Sequence, residues 1–205
     1  MVQRASVAWR PLRLLFRWWP VLGLLAMAGL ARAVGTGPTR VDRYFLRDNT
    51  AIYDWRLVLL FVSDARVVTV AWAVGVGIAL WQQRTRLALV AVATVPVTTL
   101  LVPACKQLFG RTKGGTWAYP SGHTTVLVVV LGMLVLVAAW KTWAVIAAGV
   151  LTVWGMLGQS LTYHYFTDTV GGLLLGSAIV AAAAVLAGCP PPGCQPPGAG
   201  PAARR

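Results

Sequence analysis

Long apolar stretches, each about 15 to 20 residues, alternate with short polar connections along this 205-residue chain. They run from about Trp18 to Val34, Val67 to Trp81, Leu87 to Cys105, Thr124 to Trp140, Trp143 to Leu157 and Thr169 to Ala187. Each matches the length a helix needs to cross the hydrocarbon core of a bilayer. The pattern predicts an all-α, polytopic membrane protein built as a six-transmembrane-helix bundle. The second stretch is short and is expected to begin inside Ser63-Asp64-Ala65-Arg66, with Ser63 as a plausible N-cap.

One connection breaks the rhythm. Between Arg40 and Arg66, four aspartates and five arginines alternate with Tyr44, Phe45, Leu46, Ile52, Trp55 and the run Leu57 to Val62. This pattern predicts an interfacial amphipathic helix. Its Trp and Tyr residues favour a connector anchored at the headgroups over a lid beside an active site. The chain therefore divides into a basic N-terminal segment (1–17), a six-helix membrane domain (18–187, with the amphipathic segment at 40–66) and a Pro/Gly-rich tail (188–205) expected to be disordered.

Composition supports the membrane reading. Hydrophobic residues make up 58% and charged residues 11% of the chain, and the mean hydropathy is +0.70, too few charges to coat a soluble domain. The net charge of +13 is spread between apolar segments without a dense basic run, which argues against a nucleic-acid partner. Arg4, Arg10, Arg13 and Arg17 precede the first apolar stretch, which ends in Ala31-Arg32-Ala33. The shape is that of a signal peptide, but the long basic leader and the arginine within the small-residue site fit an uncleaved anchor better. Alternation from a cytoplasmic N-terminus puts Arg84, Arg86, Lys141 and the tail inside, and both histidine-bearing loops outside. With Lys106, Arg111 and Lys113 set aside for chemistry, nine Lys and Arg lie inside against six outside, in the sense of the positive-inside rule. The expected location is the cell membrane, multi-pass, with the active site on the extracytoplasmic side. Cys105 reads as a packing residue, while Cys189 and Cys194 lie in the tail and are expected to be reduced.

The chemistry is concentrated in very few residues. The chain has two histidines and a single acidic residue after Asp64, and all three fall in Pro120-Ser121-Gly122-His123 and His164-x-x-x-Asp168. A carboxylate four residues after a histidine shares its helical face and can accept the Nδ1 proton, leaving Nε2 free as nucleophile or base. His123, after the Pro-Ser-Gly turn, can donate a proton to a leaving group. A turn that opens a helix offers free N–H groups and the positive end of the dipole to an anion, here at Ser121 and Gly122. Lys106, Arg111 and Lys113 supply compensating charge, Arg111 with a bidentate grip. His123, His164 and Asp168 also suffice for three zinc ligands. Control of the imidazole tautomer explains the His-Asp spacing equally well, so no metal or other cofactor is expected.

These residues resemble the type-2 phosphatidic-acid phosphatase superfamily of membrane lipid phosphatases. Its first motif is a Lys followed after six residues by Arg-Pro, its second Pro-Ser-Gly-His, and its third Ser-Arg followed after five residues by His-x-x-x-Asp. The second motif is complete at Pro120 to His123, and the third keeps its functional end at His164 and Asp168. The resemblance covers Cys105 to Gly172 and extends to the rest by span count. It implies that His164 attacks phosphorus to give a phosphohistidine, that Asp168 orients it, and that His123 protonates the leaving oxygen. Lys106, Ser121 and Gly122 would hold phosphate oxygens without a metal. The chain departs from the pattern at Lys113-Gly114, where Arg-Pro is expected, and at Leu157-Gly158, where Ser-Arg is expected. Losing such an arginine costs about 2 to 4 kcal/mol of transition-state stabilisation unless another group compensates. Gln159, Ser160, Arg111, Lys113 and a cation from the amphipathic segment are the candidates.

The resulting expectation is an integral membrane lipid phosphatase acting on a phosphate or pyrophosphate monoester. The alternatives are a lipid-linked phosphoryl transferase and a non-catalytic lipid-binding protein.

Overall fold

A computed structural model of the chain describes residues 10–46 and 55–189. The elements are α1 (Arg10–Val34), α2 (Arg40–Phe45), α3 (Arg56–Phe61), α4 (Ala65–Trp81), α5 (Thr85–Phe109), β1 (Thr112–Lys113), β2 (Thr116–Trp117), α6 (Gly122–Val137), α7 (Thr142–Thr162) and α8 (Phe166–Leu186). The described residues form an all-α membrane protein apart from one small hairpin. Of the tail expected to be disordered, Gly188 and Cys189 are described and are hydrogen-bonded to the end of α8, while residues 190–205 and the basic leader before Arg10 lie outside the described residues.

Among the described residues five stretches are long and apolar enough to cross a membrane: Leu14–Val34, Val58–Trp81, Thr85–Phe109, Thr142–Thr162 and Phe166–Leu186. The remaining apolar helix, α6, has 16 residues and is about 24 Å long at 1.5 Å per residue. It is central: α4, α5, α7 and α8 pack around it, and Leu127, Val129, Val130, Met133 and Leu136 are buried. The helix is apolar on all sides, as a helix enclosed by protein can be.

Helix ends differ from the expectation where polar residues face protein rather than water. α7 continues past Leu157 to Thr162, because Gln159 and Ser160 are buried against neighbours. α5 also runs on to Phe109, although Gln107 and Leu108 in its last turn are exposed. The N-cap of α4 is Asp64, which accepts from the Arg66 N–H at 2.8 Å. Ser63 instead donates its hydroxyl to the Leu60 carbonyl at 3.1 Å.

The single amphipathic helix expected over 40–66 is not what forms. Among the described residues the segment holds two short helices, α2 and α3. Thr39 caps α2 reciprocally with Asp42: the Asp42 N–H donates to the Thr39 hydroxyl at 3.2 Å, and the Thr39 N–H donates to the Asp42 carboxylate at 2.9 Å. α3 leads into α4 and packs on α7, where the Trp154 indole N–H donates to the Val58 carbonyl at 3.2 Å.

α8 packs most closely on α1 and α6, and Gly171 and Gly172 permit close approach, lying where a Cβ would strike the Tyr119 ring and the Ser121 carbonyl. The Tyr119 hydroxyl donates to the Met27 carbonyl at 2.6 Å, tying α1 to the loop before α6. This packing gathers the C-terminal ends of α5 and α7, the N-terminal ends of α6 and α8, and α2 at one end of the bundle.

Candidate active site

Each motif residue takes its position from a helix end. Ser121 is the N-cap of α6, its hydroxyl oxygen accepting from the Thr124 N–H at 3.4 Å and the Thr124 hydroxyl at 3.1 Å. Gly122 and His123 are then the first two helical residues, whose N–H groups have no acceptor within the helix. The Ser121 N–H donates to the Asp168 carbonyl at 3.0 Å, so the two motifs meet directly, as the topology argument expects. His123 is exposed and interacts electrostatically with His164, Lys106 and Asp64.

His164 stands two residues before α8, not on a shared helical face with Asp168. Its N–H donates to the Gln159 carbonyl at 2.9 Å, closing the end of α7. Asp168 is the third residue of α8 and reaches back to the Tyr165 N–H at 3.0 Å, a capping interaction. The His164 Nδ1 to Asp168 Oδ2 distance is 3.8 Å. That is longer than a hydrogen bond, and the buried Nδ1 has no partner. The His-x-x-x-Asp spacing thus works through a helix cap and a preceding turn rather than through helical periodicity.

The expected role of Arg111 needs correction. Its side chain is buried and ion-paired on two sides, Nη1 with Asp168 Oδ1 at 2.9 Å and Nη2 with Asp42 Oδ2 at 2.8 Å. Nη1 also donates to the Thr167 hydroxyl at 2.6 Å and Nη2 to the Gly37 carbonyl at 2.9 Å. Both terminal nitrogens are committed to protein oxygens, so Arg111 does not offer a phosphate a bidentate grip. It lies behind Asp168 and stacks on Tyr165, 4.7 Å from the ring centroid.

The lysines are placed differently. Lys113 sits at the tip of a hairpin in which Thr112 pairs with Trp117 and Lys113 with Thr116. Gly114 and Gly115 turn it with φ of 57° and 79°, the positive values a two-residue hairpin loop requires. The Lys113 ammonium donates to the His164 carbonyl at 2.8 Å. Burial pushes its pKa below the ordinary lysine value, and the negative charges of Asp168 and Asp42 oppose that shift. Lys106, in the last turn of α5, donates to the Trp117 carbonyl at 3.0 Å. Both ammonium groups rest on carbonyl oxygens beside the histidines and keep further donors free.

The absent third-motif arginine has a steric explanation. A Cβ built at Gly158 would collide with the Leu59 carbonyl oxygen, because α3 lies directly on α7 there. Gln159 and Ser160, candidates to compensate, are committed elsewhere: the Gln159 amide donates to the Ser63 hydroxyl at 2.9 Å and the Ser160 hydroxyl to the Leu157 carbonyl at 2.9 Å. Among the described residues no group of three or more His, Cys, Asp or Glu is arranged to hold a metal ion. Asp168 directs its oxygens at Arg111 and Tyr165 rather than at a shared point with the histidines.

Two features escaped the sequence reading. Asp42 was one of four aspartates in a segment read as a connector, although Thr39-x-x-Asp42 has the spacing of a capping box. Gly114-Gly115 between short polar runs is likewise a hairpin signal.

Neither a protein-family model nor a curated protein sequence matches the chain. Among solved structures, the chain is similar to the first transmembrane PAP2 type phosphatidylglycerolphosphate phosphatase from Bacillus subtilis, with a TM-score of 0.66 and 18% sequence identity over 81% of this chain and 94% of that one. The chain has the fold of a membrane PAP2-type phosphatase. That likeness spans nearly the whole of the solved protein.

Proposed function

We propose that the chain is a divergent member of the PAP2 superfamily and an integral membrane phosphatase that hydrolyses a lipid phosphate or pyrophosphate monoester through a phosphohistidine. The observation that carries this reading is the convergence of both histidines, Asp168 and two half-buried lysines at one end of a bundle with the PAP2 fold. His164 Nε2 attacks phosphorus, and the bond from phosphorus to the lipid oxygen breaks as His123 gives that oxygen a proton. Water then attacks the phosphohistidine, losing its proton to His123, and phosphate leaves. Lys106, Lys113 and the N–H groups of Gly122 and His123 neutralise the phosphate oxygens, while the Ser121 hydroxyl holds the turn. The His164 imidazole moves by about 1 Å so that Nδ1 donates the orienting hydrogen bond to Asp168. These groups need no metal. The site faces the extracytoplasmic side of the cell membrane, with the basic leader and tail on the other.

The solved neighbour carries phosphatidylglycerolphosphate phosphatase in its name, which makes that lipid, phosphatidate and polyprenyl phosphates the first substrates to test. Purified protein in detergent, with EDTA present, is expected to release phosphate from at least one of them. His164→Ala abolishes release and also the acid-labile, alkali-stable phosphoprotein trapped after rapid quenching. Phosphate release by His164→Ala at the wild-type rate would remove the phosphohistidine from the mechanism.

A further inference from the structure

The residue that links the 40–66 segment to the reaction is Asp42. It is fully buried, and its carboxylate accepts from the Thr167 N–H at 2.9 Å, from the Thr167 hydroxyl at 3.0 Å and from Arg111 Nη2 at 2.8 Å. Thr167 is the residue next to Asp168. Arg111 in turn bridges Asp42 to Asp168, so a carboxylate on α2, a guanidinium after α5 and a carboxylate on α8 form one buried row.

The charges of the row decide how Asp168 behaves. A buried arginine paired with a single carboxylate cancels its charge, and the neutral pair does little for a histidine beside it. With a second carboxylate on the far side of the guanidinium, the row carries a net charge of −1 and Asp168 retains its negative field toward His164 Nδ1, 3.8 Å away. The remaining charged groups around His164 are Lys113, whose ammonium sits on the His164 carbonyl, and His123 on α6, with Lys106 beyond it. All of these can carry positive charge.

Building on the phosphohistidine reading above, we propose that Asp42 is a positioning residue for the reaction: through Arg111 it preserves the negative charge with which Asp168 supports the His164 imidazole. Asp42 touches neither substrate nor reacting atoms. It acts by occupying the second face of Arg111, which would otherwise neutralise Asp168 outright.

The test compares the full-length protein in detergent with Asp42→Asn, Arg111→Met and the double variant. Asp42→Asn is expected to lower kcat about tenfold or more with little change in KM. The acid limb of its kcat/KM profile moves to lower pH by about half a unit or more, because a missing negative charge favours the neutral nucleophile. The double variant, which removes the unopposed guanidinium, recovers activity relative to Asp42→Asn. An Asp42→Asn profile at the wild-type pH, or a double variant no better than Asp42→Asn, overturns the proposal. Should Asp42→Asn alone fail to fold, the double variant must be at least as active as Arg111→Met, and a tenfold poorer double variant assigns Asp42 some other role and overturns it equally. With only two histidines in the chain, the His164 ring signal can be followed by NMR without substrate, and it is expected to titrate at lower pH in Asp42→Asn. That readout separates the two ideas: an inactive wild type removes the phosphatase reading, while an unmoved His164 titration removes the role of Asp42.

Discussion

His164 Nδ1 faces Asp168 Oδ2 across 3.8 Å, a gap that the proposed reaction must close. Asp168 is held by its own helix cap through the Tyr165 N–H and by Arg111, so the carboxylate is the fixed partner and the imidazole the adjustable one. Asp168→Asn keeps the shape but loses the charge and admits the wrong tautomer. It is expected to lower kcat by about 10² to 10⁴. It also removes one of the two ion pairs of buried Arg111, which Asp42 still neutralises, at a cost of about 1 to 3 kcal/mol of stability. Initial rates together with thermal unfolding in detergent measure both effects. An Asp168→Asn protein with a wild-type rate would show that the gap is never closed.

Lys113 occupies the place where the resembled first motif has arginine, and its ammonium rests on the carbonyl of the proposed nucleophile. Lys113→Ala is expected to reduce kcat/KM by about 10²-fold, the scale of one lost charge-stabilising donor, while Lys113→Arg retains part of the activity. Burial lowers the pKa of Lys113, so the ammonium, present at low pH, is lost as pH rises through a value below the ordinary lysine value of about 10.4. The wild-type rate should therefore fall on the alkaline side earlier than a solvent-exposed lysine would dictate. Lys113→Arg moves that fall to higher pH. A pH–rate series on the two proteins makes the comparison.

Much of this arrangement was readable from local pattern. The apolar periodicity located the helices, and the scarcity of His and acidic residues isolated His123, His164 and Asp168, because in a membrane protein every ionisable side chain has to be accounted for. Apart from the local signals at Thr39-x-x-Asp42 and Gly114-Gly115, what escaped was set by contacts between residues distant in sequence. Arg111 looked like a phosphate ligand from its place before the Ser-Gly-His turn, yet two carboxylates, 69 residues before it and 57 after it, claim both its terminal nitrogens. The apolar and polar alternation of 40–66 read as one surface helix because periodicity carries no information on the capping at Thr39 or the turn at Ser63-Asp64. Gln159 and Ser160 looked like the polar end of a span, and only packing against Ser63 and the α7 backbone makes them interior.

The buried row also has a signature in stability. Burial of Asp42 pushes its pKa up, but hydrogen bonds from the Thr167 and Thr39 N–H groups, the Thr39 hydroxyl and Arg111 outweigh it and hold the carboxyl below the ordinary value. For a group whose folded pKa lies below its unfolded one, the stabilisation is complete above the unfolded value of about 3.9 and is lost as pH falls through the folded value. Wild-type protein should therefore lose stability as the pH is lowered below about 4. Asp42→Asn should start less stable at neutral pH and show a shallower decline over the same window. Unfolding temperatures of both proteins in acid-stable detergent, taken from pH 7 to pH 3, test the difference in slope.

Gly158 separates a motif that has been lost from one that has been displaced. The third-motif arginine of the resembled family falls at this position, and restoring it would be the obvious repair if the site merely lacked a cation. Here a Cβ at 158 meets the Leu59 carbonyl oxygen, so α3 must move before any side chain fits. Gly158→Ala is expected to cost about 1 to 3 kcal/mol, the range for overpacking a tight contact. Gly158→Arg should cost more and lower activity rather than raise it, because it displaces α3 and the Ser63 hydroxyl that receives the Gln159 amide. Thermal unfolding and phosphate release of the two variants test this. A Gly158→Arg protein that is stable and faster than wild type would mean that α3 can vacate the position and that the site is short of one positive charge.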